Sequence, residues 1–206
     1  MLKGAGEMAK NLQIGVLSLQ GSVREHISML SNIKNVKPLE VKSLPSLESV
    51  DGIILPGGES TTISKLLIDF GLFEPLKQKI KQGLPVWGTC AGMILLAKDV
   101  IGENPHLDLM DITVRRNAYG RQINSFTVAE DIPAISEQRI PLIFIRAPWI
   151  ENVGKDVEAL CCLNKHIVAA KEKNMLVTSF HPELTNCLAV HQYFIEKMIR
   201  VGESNK

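Results

Sequence analysis

Val86-Trp87-Gly88-Thr89-Cys90-Ala91-Gly92-Met93 runs from a short apolar strand through a turn of small residues into the helical stretch Met93-Ile94-Leu95-Leu96-Ala97-Lys98. Such a strand-turn-helix step, repeated along a chain, builds a parallel sheet with helices on its faces. Outward from it, strand-like segments lie near 12–19, 38–42, 50–55, 84–88, 109–115, 121–129, 141–147, 157–163, 166–171 and 175–180. Helical patterns lie near 22–33, 60–69, 73–82, 91–98 and 186–200. The alternation predicts an α/β fold, a three-layer αβα sandwich with a mostly parallel central sheet and its site at the carboxyl ends of the strands. The stretch from 109 to 150 has strands but few helices, and is expected to add antiparallel strands at one edge. No repeat, low-complexity run or linker divides the chain, so residues 12–206 are read as one domain. Residues 1–11 are read as an N-terminal extension, disordered or partly a cloning remnant, with Met8 as an alternative start.

The same stretch proposes chemistry. Cys90 sits on a sharp turn with glycines on both sides, the layout of a nucleophile elbow. The helix that starts there offers free N–H groups and a dipole that favour a thiolate and can hold an oxyanion. A cysteine after an apolar strand is more commonly a small core residue, so Cys90 needs a base before it counts as a nucleophile. Met175-Leu176-Val177-Thr178-Ser179-Phe180 reads as a buried strand that ends in His181-Pro182-Glu183. Pro182 stops the strand and leaves the imidazole at a strand end. Glu183 is placed to accept from the second ring nitrogen and to support the imidazolium. A lone histidine beside a proline is more commonly structural; it is the combination of Cys90, His181 and Glu183 that reads as nucleophile, base and orienter.

A third segment follows the strand Val50-Asp51-Gly52-Ile53-Ile54-Leu55: Pro56-Gly57-Gly58-Glu59-Ser60-Thr61-Thr62, leading into an amphipathic helix. Adjacent glycines let a backbone turn its amides toward a ligand, and one amide of this loop can pair with that of Ala91 to hold an oxyanion. The loop lacks the Lys and spacing of a Walker motif. Its plain alternative is an ordinary strand-helix turn.

Composition excludes several classes. Lys+Arg 23 against Asp+Glu 22 leaves a formal net charge of +1, with no electrostatic footprint for nucleic acid or an anionic membrane surface. Cysteines stand at 90, 161, 162 and 187, without CxxC or zinc spacing, so free thiols in a reducing cytoplasm, no metal and no cofactor are expected. No apolar stretch reaches the roughly 18 residues that span a bilayer, and no signal-peptide core is read. Cys161-Cys162, in a strand-like stretch, reads as structural.

Five segments together resemble the glutaminase subunit of pyridoxal 5′-phosphate synthase, a triad-type (class I) glutamine amidotransferase. They are Pro56-Gly57-Gly58-Glu59-Ser60-Thr61-Thr62, Gly88-Thr89-Cys90-Ala91-Gly92, Arg116-Asn117-Ala118-Tyr119-Gly120-Arg121-Gln122, Phe144-Ile145-Arg146-Ala147-Pro148 and Ser179-Phe180-His181-Pro182-Glu183-Leu184. Gly15-Val16-Leu17-Ser18-Leu19-Gln20-Gly21 with Arg24-Glu25-His26 looks like that family's opening strand and first helix. The resemblance spans roughly residues 12 to 200 and implies the flavodoxin-like form of the sandwich. It also implies that Cys90 attacks the side-chain amide of L-glutamine, that His181 is base and then acid, and that Glu183 orients it. Gly58 and Ala91 would supply the oxyanion amides. Gly58, Glu59, Ser60, Arg116, Ile145 and Arg146 would bind substrate, an Arg suiting the carboxylate of an amino acid through its bidentate fork. Exposed arginines more commonly solvate a surface, so Arg116 and Arg146 rest on their motifs.

The implied partner is the synthase subunit, a (β/α)₈ barrel in a dodecameric core that carries up to twelve glutaminase subunits and condenses the ammonia into pyridoxal 5′-phosphate. Docking is expected to reorganise a Gly57-Gly58 peptide that is out of position in the isolated chain. The first helix, with Arg24, Glu25 and His26, fits either the docking face or a solvated face. Two other readings share these motifs: a cysteine peptidase or γ-glutamyl hydrolase-like enzyme, and a silent scaffold, which would be expected to lack Cys90 or His181.

Overall fold

The computed structural model describes residues 11–117 and 125–200. The strands are β1 (Leu12–Leu17), β2 (Val36–Val41), β3 (Gly52–Leu55), β4 (Val86–Thr89), β5 (Ala97–Val100), β6 (Met110–Arg115), β7 (Ser125–Glu130), β8 (Ile140–Ile145), β9 (Trp149–Val153), β10 (Glu158–Leu163), β11 (His166–Glu172) and β12 (Met175–Thr178). The helices are α1 (Val23–Ser31), α2 (Leu44–Glu48), α3 (Ser60–Asp69), α4 (Phe73–Lys81), α5 (Ala91–Leu96) and α6 (Ala189–Tyr193), which continues as a π-helical stretch over Phe194–Arg200. The main sheet runs β2-β1-β3-β4-β12-β11-β9-β6-β5, with β10 on β11. Its first five strands are parallel, in the doubly wound order 2-1-3-4-5 if β12 is counted fifth. Antiparallel pairing begins at β11.

β3, β4 and β12 are four-residue runs buried throughout, as a parallel sheet covered on both faces requires. The side-chain period of two then divides each strand between two cores. Ile53, Leu55, Val86 and Val177 join Ile63, Leu67, Leu76 and Leu95 of α3, α4 and α5 on one face. Ile54, Trp87 and Leu176 join Leu30, Val190, Phe194 and Ile199 on the other. Each such side chain, fully buried, contributes ~1.5–3 kcal/mol. α5 lies unusually close to the strands beneath it. A Cβ on Gly88 would stand 2.4 Å from the Gly92 carbonyl carbon, and one on Gly92 would stand 2.1 Å from the Leu55 oxygen. Those two glycines let the helix begin directly over the sheet, which aims Cys90 outward.

Several expectations need adjusting. The helix expected over 91–98 stops at Leu96, because Ala97–Val100 pairs with β6 as an edge strand. β7 and β8 form a separate two-stranded sheet instead of extending the edge. α2 arises from a signal passed over, Ser43 before Pro45, with Ser46 Oγ accepting from Ser43 N–H at 3.1 Å. β9 was not anticipated. The expected extension 1–11 lies, but for Asn11, outside the described residues, as do Ala118, Tyr119, Gly120, Arg121 and Gln122 of the third resemblance segment. Among the described residues, no helix is long and apolar enough to cross a membrane.

Candidate active site

The carboxyl ends of four adjacent parallel strands deliver the site. After β1 come Gln20 and Ser22, after β3 the Gly57-Gly58 loop, after β4 Cys90, and after β12 His181. Arg116 follows β6, and Ile145 with Arg146 ends β8, which is fastened over the cleft where Ile143 O accepts from His181 N–H at 2.8 Å. These segments line a cleft of about 440 Å³.

Cys90 has φ 48° and ψ −98°, outside the basins open to a residue with a Cβ. Its N–H donates to Thr178 O at 2.8 Å and its carbonyl accepts from Met93 N–H at 3.1 Å, so neighbours on both sides hold the strained turn. Asn117 and Arg146, with φ 46° and 45°, also line the cleft. Positive φ also occurs at Asn35, Asp108, Asn164, Lys165 and Lys173, which do not line the cleft, so it is the ψ of −98° that sets Cys90 apart as strained.

His181 Nδ1 donates to Glu183 Oε1 at 2.8 Å, which leaves Nε2 as the ring nitrogen available to Cys90 across the cleft. Burial lowers the proton affinity of His181, but the hydrogen bonds to Cys90 and Glu183 and the nearby charge of Glu183 overcome it and raise the pKa to about 10. Burial alone would raise Glu183; His26 beside it, the hydrogen bond and charge of His181 and the hydrogen bond from Ser22 bring it down to about 2. His181 therefore carries a proton at neutral pH, and Glu183 does not.

The Gly57 carbonyl accepts from Ser22 N–H at 2.9 Å. All peptides are trans among the described residues, so Gly58 N–H points to the opposite side of that peptide. Ala91 opens α5, where a first-turn N–H has no intrahelical partner. A Cβ on Gly57 would stand 2.3 Å from His181 Cε1, so the loop and the imidazole are in close register.

Glu59 does more than face the cleft. It caps α3 by accepting from Thr62 N–H at 2.8 Å, and it accepts from Arg116 Nη2 at 2.7 Å. Arg116 Nη1 donates to Glu103 Oε2 at 2.5 Å, so two carboxylates hold the guanidinium in place. Ser60 Oγ is buried without a hydrogen-bond partner among the described residues, on a residue that lines the cleft. Ile145 is partly exposed, and its carbonyl lies 4.0 Å from Cys90 Sγ. All ten of the residues singled out for the site except Glu183 line the cleft; Glu183 lies beneath it, against His181.

Four contributors escaped the sequence reading. Ser22 Oγ donates to Glu183 Oε1 at 2.6 Å, and Gln20 Oε1 accepts from Glu59 N–H at 2.9 Å. Both follow the end of β1, and polar residues just past a buried parallel strand were the signal available. Glu103 and Thr89 carried no such local mark. Cys161 is buried, and burial pushes its thiol up to about 11, which suits a structural cysteine. All four cysteines are free. Among the described residues, no cluster of His, Cys, Asp or Glu is arranged to hold a metal ion.

Residues 16–200 match the model of the SNO glutamine amidotransferase family. The chain belongs to this family. A relative from Clostridium botulinum (strain Loch Maree / Type A3), named pyridoxal 5′-phosphate synthase subunit PdxT, is 57% identical over 190 residues, covering 92% of this chain and 98% of its own. Another of that name from Clostridium kluyveri is 55% identical over 185 residues, covering 89% and 98%. A solved glutamine amidotransferase structure superposes with a TM-score of 0.83 at 39% identity, covering 89% of this chain and 97% of the other. A glutamine amidotransferase from Thermotoga maritima, at 16% identity and a TM-score of 0.62 over 95% of this chain and 85% of its own, shares the fold. The flavodoxin-like αβα sandwich is thus the architecture of the family as well as of the chain.

Proposed function

We propose that this chain is the glutaminase subunit of a pyridoxal 5′-phosphate synthase, hydrolysing L-glutamine to L-glutamate and ammonia and passing the ammonia to a synthase subunit. The observation that carries the reading is the strained Cys90 sharing one cleft with an imidazole whose Nδ1 is fixed by a buried carboxylate. Relatives named PdxT, one of them 57% identical, support the pathway.

Cys90 attacks the amide carbon of glutamine as a thiolate, and the carbonyl electron pair moves onto oxygen, held by the N–H groups of Ala91 and Gly58. As that intermediate collapses, His181 Nε2 gives its proton to the departing nitrogen and ammonia leaves a γ-glutamyl thioester. Water then loses a proton to His181 and attacks the thioester. The carbon–sulfur bond breaks, the thiolate returns beside the imidazolium, and the new carboxyl releases its proton to solvent. Glu183 keeps Nδ1 protonated and supports the charge throughout. Arg116, preset by Glu59 and Glu103, meets the α-carboxylate, while Glu59, Ser60, Ile145 and Arg146 complete the amino-acid pocket.

Ammonia released into water becomes ammonium and loses its nucleophilicity, which is the physical reason for a docked acceptor. The acceptor in this reading is the oligomeric barrel synthase, and the Gly57-Gly58 peptide is its point of control. Free thiols agree with a cytoplasmic location. The test is ammonia release from glutamine by wild type and Cys90→Ala, with and without the synthase subunit. Cys90→Ala is expected to be inactive and the partner to stimulate wild type. Activity in Cys90→Ala would overturn the triad; equal rates with and without the partner would overturn docking control. A peptide and folate panel separates the γ-glutamyl hydrolase reading.

A further inference from the structure

His26, read from sequence as part of a docking or solvated face, is fully buried, and the mechanism above does not use it. It projects from α1 beneath the site. His26 Nδ1 lies 3.0 Å from Nε2 of His191, a second fully buried histidine, on α6. Its Nε2 lies 3.3 Å from Thr89 Oγ1, on the residue before Cys90, and 3.5 Å from Glu183 Oε2. Trp87 closes the pair edge-on, with ring centroids 5.5 Å from His26 and 4.8 Å from His191.

The carboxylate makes this arrangement directional. Glu183 Oε1 already accepts from His181 and Ser22, while Oε2 is buried with no hydrogen bond inside ordinary limits among the described residues. The polar group facing Oε2 is His26 Nε2. An ionised carboxylate only accepts, so the proton on that edge of His26 belongs to Nε2; a bare nitrogen there would set lone pair against charge. A neutral His26 protonated at Nε2 has a bare Nδ1, so His191 must present Nε2–H to it. His191 then keeps Nδ1 bare, and Nδ1 is the nitrogen that is buried without a partner among the described residues. A cationic His26 would instead strand a buried N–H on His191, the costlier orphan, and would compete with the His181 imidazolium for one carboxylate. Burial lowers the proton affinity of both histidines, against the opposing pull of Glu183, which favours the neutral pair. The titratable groups acting on His26 are Glu183, His181 and His191 from other segments and Glu25 from its own helix.

We propose that His26, fixed by His191, is a positioning residue for the triad: its neutral Nε2–H is shared between Glu183 Oε2 and Thr89 Oγ1, tying the orienting carboxylate to the elbow. The reactive chain thus extends inward from Cys90 through His181 and Glu183 to His26 and His191. Its effect on the reaction is through Glu183, whose charge stays aimed at His181.

The inference rests on the glutaminase reading for its kinetic part, and alkylation of Cys90 by iodoacetamide tests it without substrate. Full-length His26→Leu, His26→Gln and His191→Leu are compared with wild type, with the synthase subunit present for ammonia release. His26→Leu removes the donor, whereas the Gln amide restores one near Nε2. For His26→Leu, kcat falls ~10-fold or more with KM within about twofold, as expected when an orienting contact is lost. The pH at which Cys90 becomes alkylated rises by about one unit, because a less well supported imidazolium gives up its proton sooner. His26→Gln recovers most of both, and His191→Leu shifts both in the direction of His26→Leu. Unchanged kcat and alkylation profile in a folded His26→Leu overturns the proposal, as does His26→Gln as impaired as His26→Leu. If His26→Leu does not fold, His26→Gln decides: near wild type supports the shared donor, and impairment refutes it. A wild type that alkylates normally yet releases no ammonia refutes the glutaminase reading alone.

Discussion

Glu183→Gln removes one negative charge from a place where the fold has buried it, and leaves the shape of the side chain. The carboxyl is held at about 2 against an ordinary 4.5, despite the burial that opposes ionisation. That displacement corresponds to roughly 3 kcal/mol in favour of the anion, at about 1.36 kcal/mol per pH unit. His26 and Ser22 share the effect with His181, so the part coupled to the His181 imidazolium is on the order of 1–2 kcal/mol. The amide oxygen still accepts from Nδ1–H, so the tautomer survives; what is lost is support for the charge and, where the amide nitrogen replaces Oε2, the acceptor facing His26 Nε2. The expected outcome at pH 7.5 is a fall in kcat/KM for glutamine of about 5- to 30-fold, carried by kcat. Ammonia release measures it, with circular dichroism and melting to show that the variant folds. A folded Glu183→Gln with kcat/KM within about twofold of wild type would refute the assignment of Glu183 as the orienter.

Three further outcomes are expected. Gly57→Ala places a methyl 2.3 Å from His181 Cε1, so steady-state assays should lose more than ~10-fold in kcat while the melting temperature moves little, since the adjustment falls on the cleft. The stabilisation from Glu183 is fully present above its ordinary 4.5 and is lost as pH falls through about 2, so urea unfolding of wild type should weaken by ~3 kcal/mol more than that of Glu183→Gln between pH 5 and pH 2. Cys90→Gly abolishes activity and should melt above Cys90→Ala by an amount equivalent to ~1 kcal/mol, because glycine accepts the φ of 48° that alanine must strain to hold; equal melting points would show that the elbow stores no strain.

What the sequence made legible is what local signals encode. The runs Ile53-Ile54-Leu55, Val86-Trp87 and Leu176-Val177, each closed by Pro, Gly or a small residue, mark parallel strands, and in such a sheet the chemistry collects where those strands end. The cysteine, the histidine and the Gly-Gly loop therefore announced themselves by position. His26 did not, because a histidine next to Arg24 and Glu25 on a short helix reads as polar surface. Its burial depends on His191, 165 residues away, and on Trp87 between them. Glu103 and β5 were hidden for a similar reason: what fixes each is a partner supplied by the tertiary fold, Arg116 in one case and β6 in the other.

Residues that local signals missed, Ser22 and His26 among them, stand behind those that local signals found. Cys90 occupies a backbone conformation that it would leave if free, and it is kept there by Thr178 O from the neighbouring strand and by the close packing of Gly88 on Gly92. His181 keeps a proton in a buried setting that would strip it, because Glu183 is beside it. Glu183 in turn stays ionised in a setting that would neutralise it, with Ser22 and His26 around it. Each reactive group is thus maintained in a state its immediate surroundings disfavour, and each support lies one layer further from the cleft, ending at a histidine pair packed against Trp87 in the second core. A perturbation in that core, such as loss of Trp87 packing, would reach Cys90 through loosened positioning before it unfolded the domain, so activity should be the more sensitive reporter of damage there.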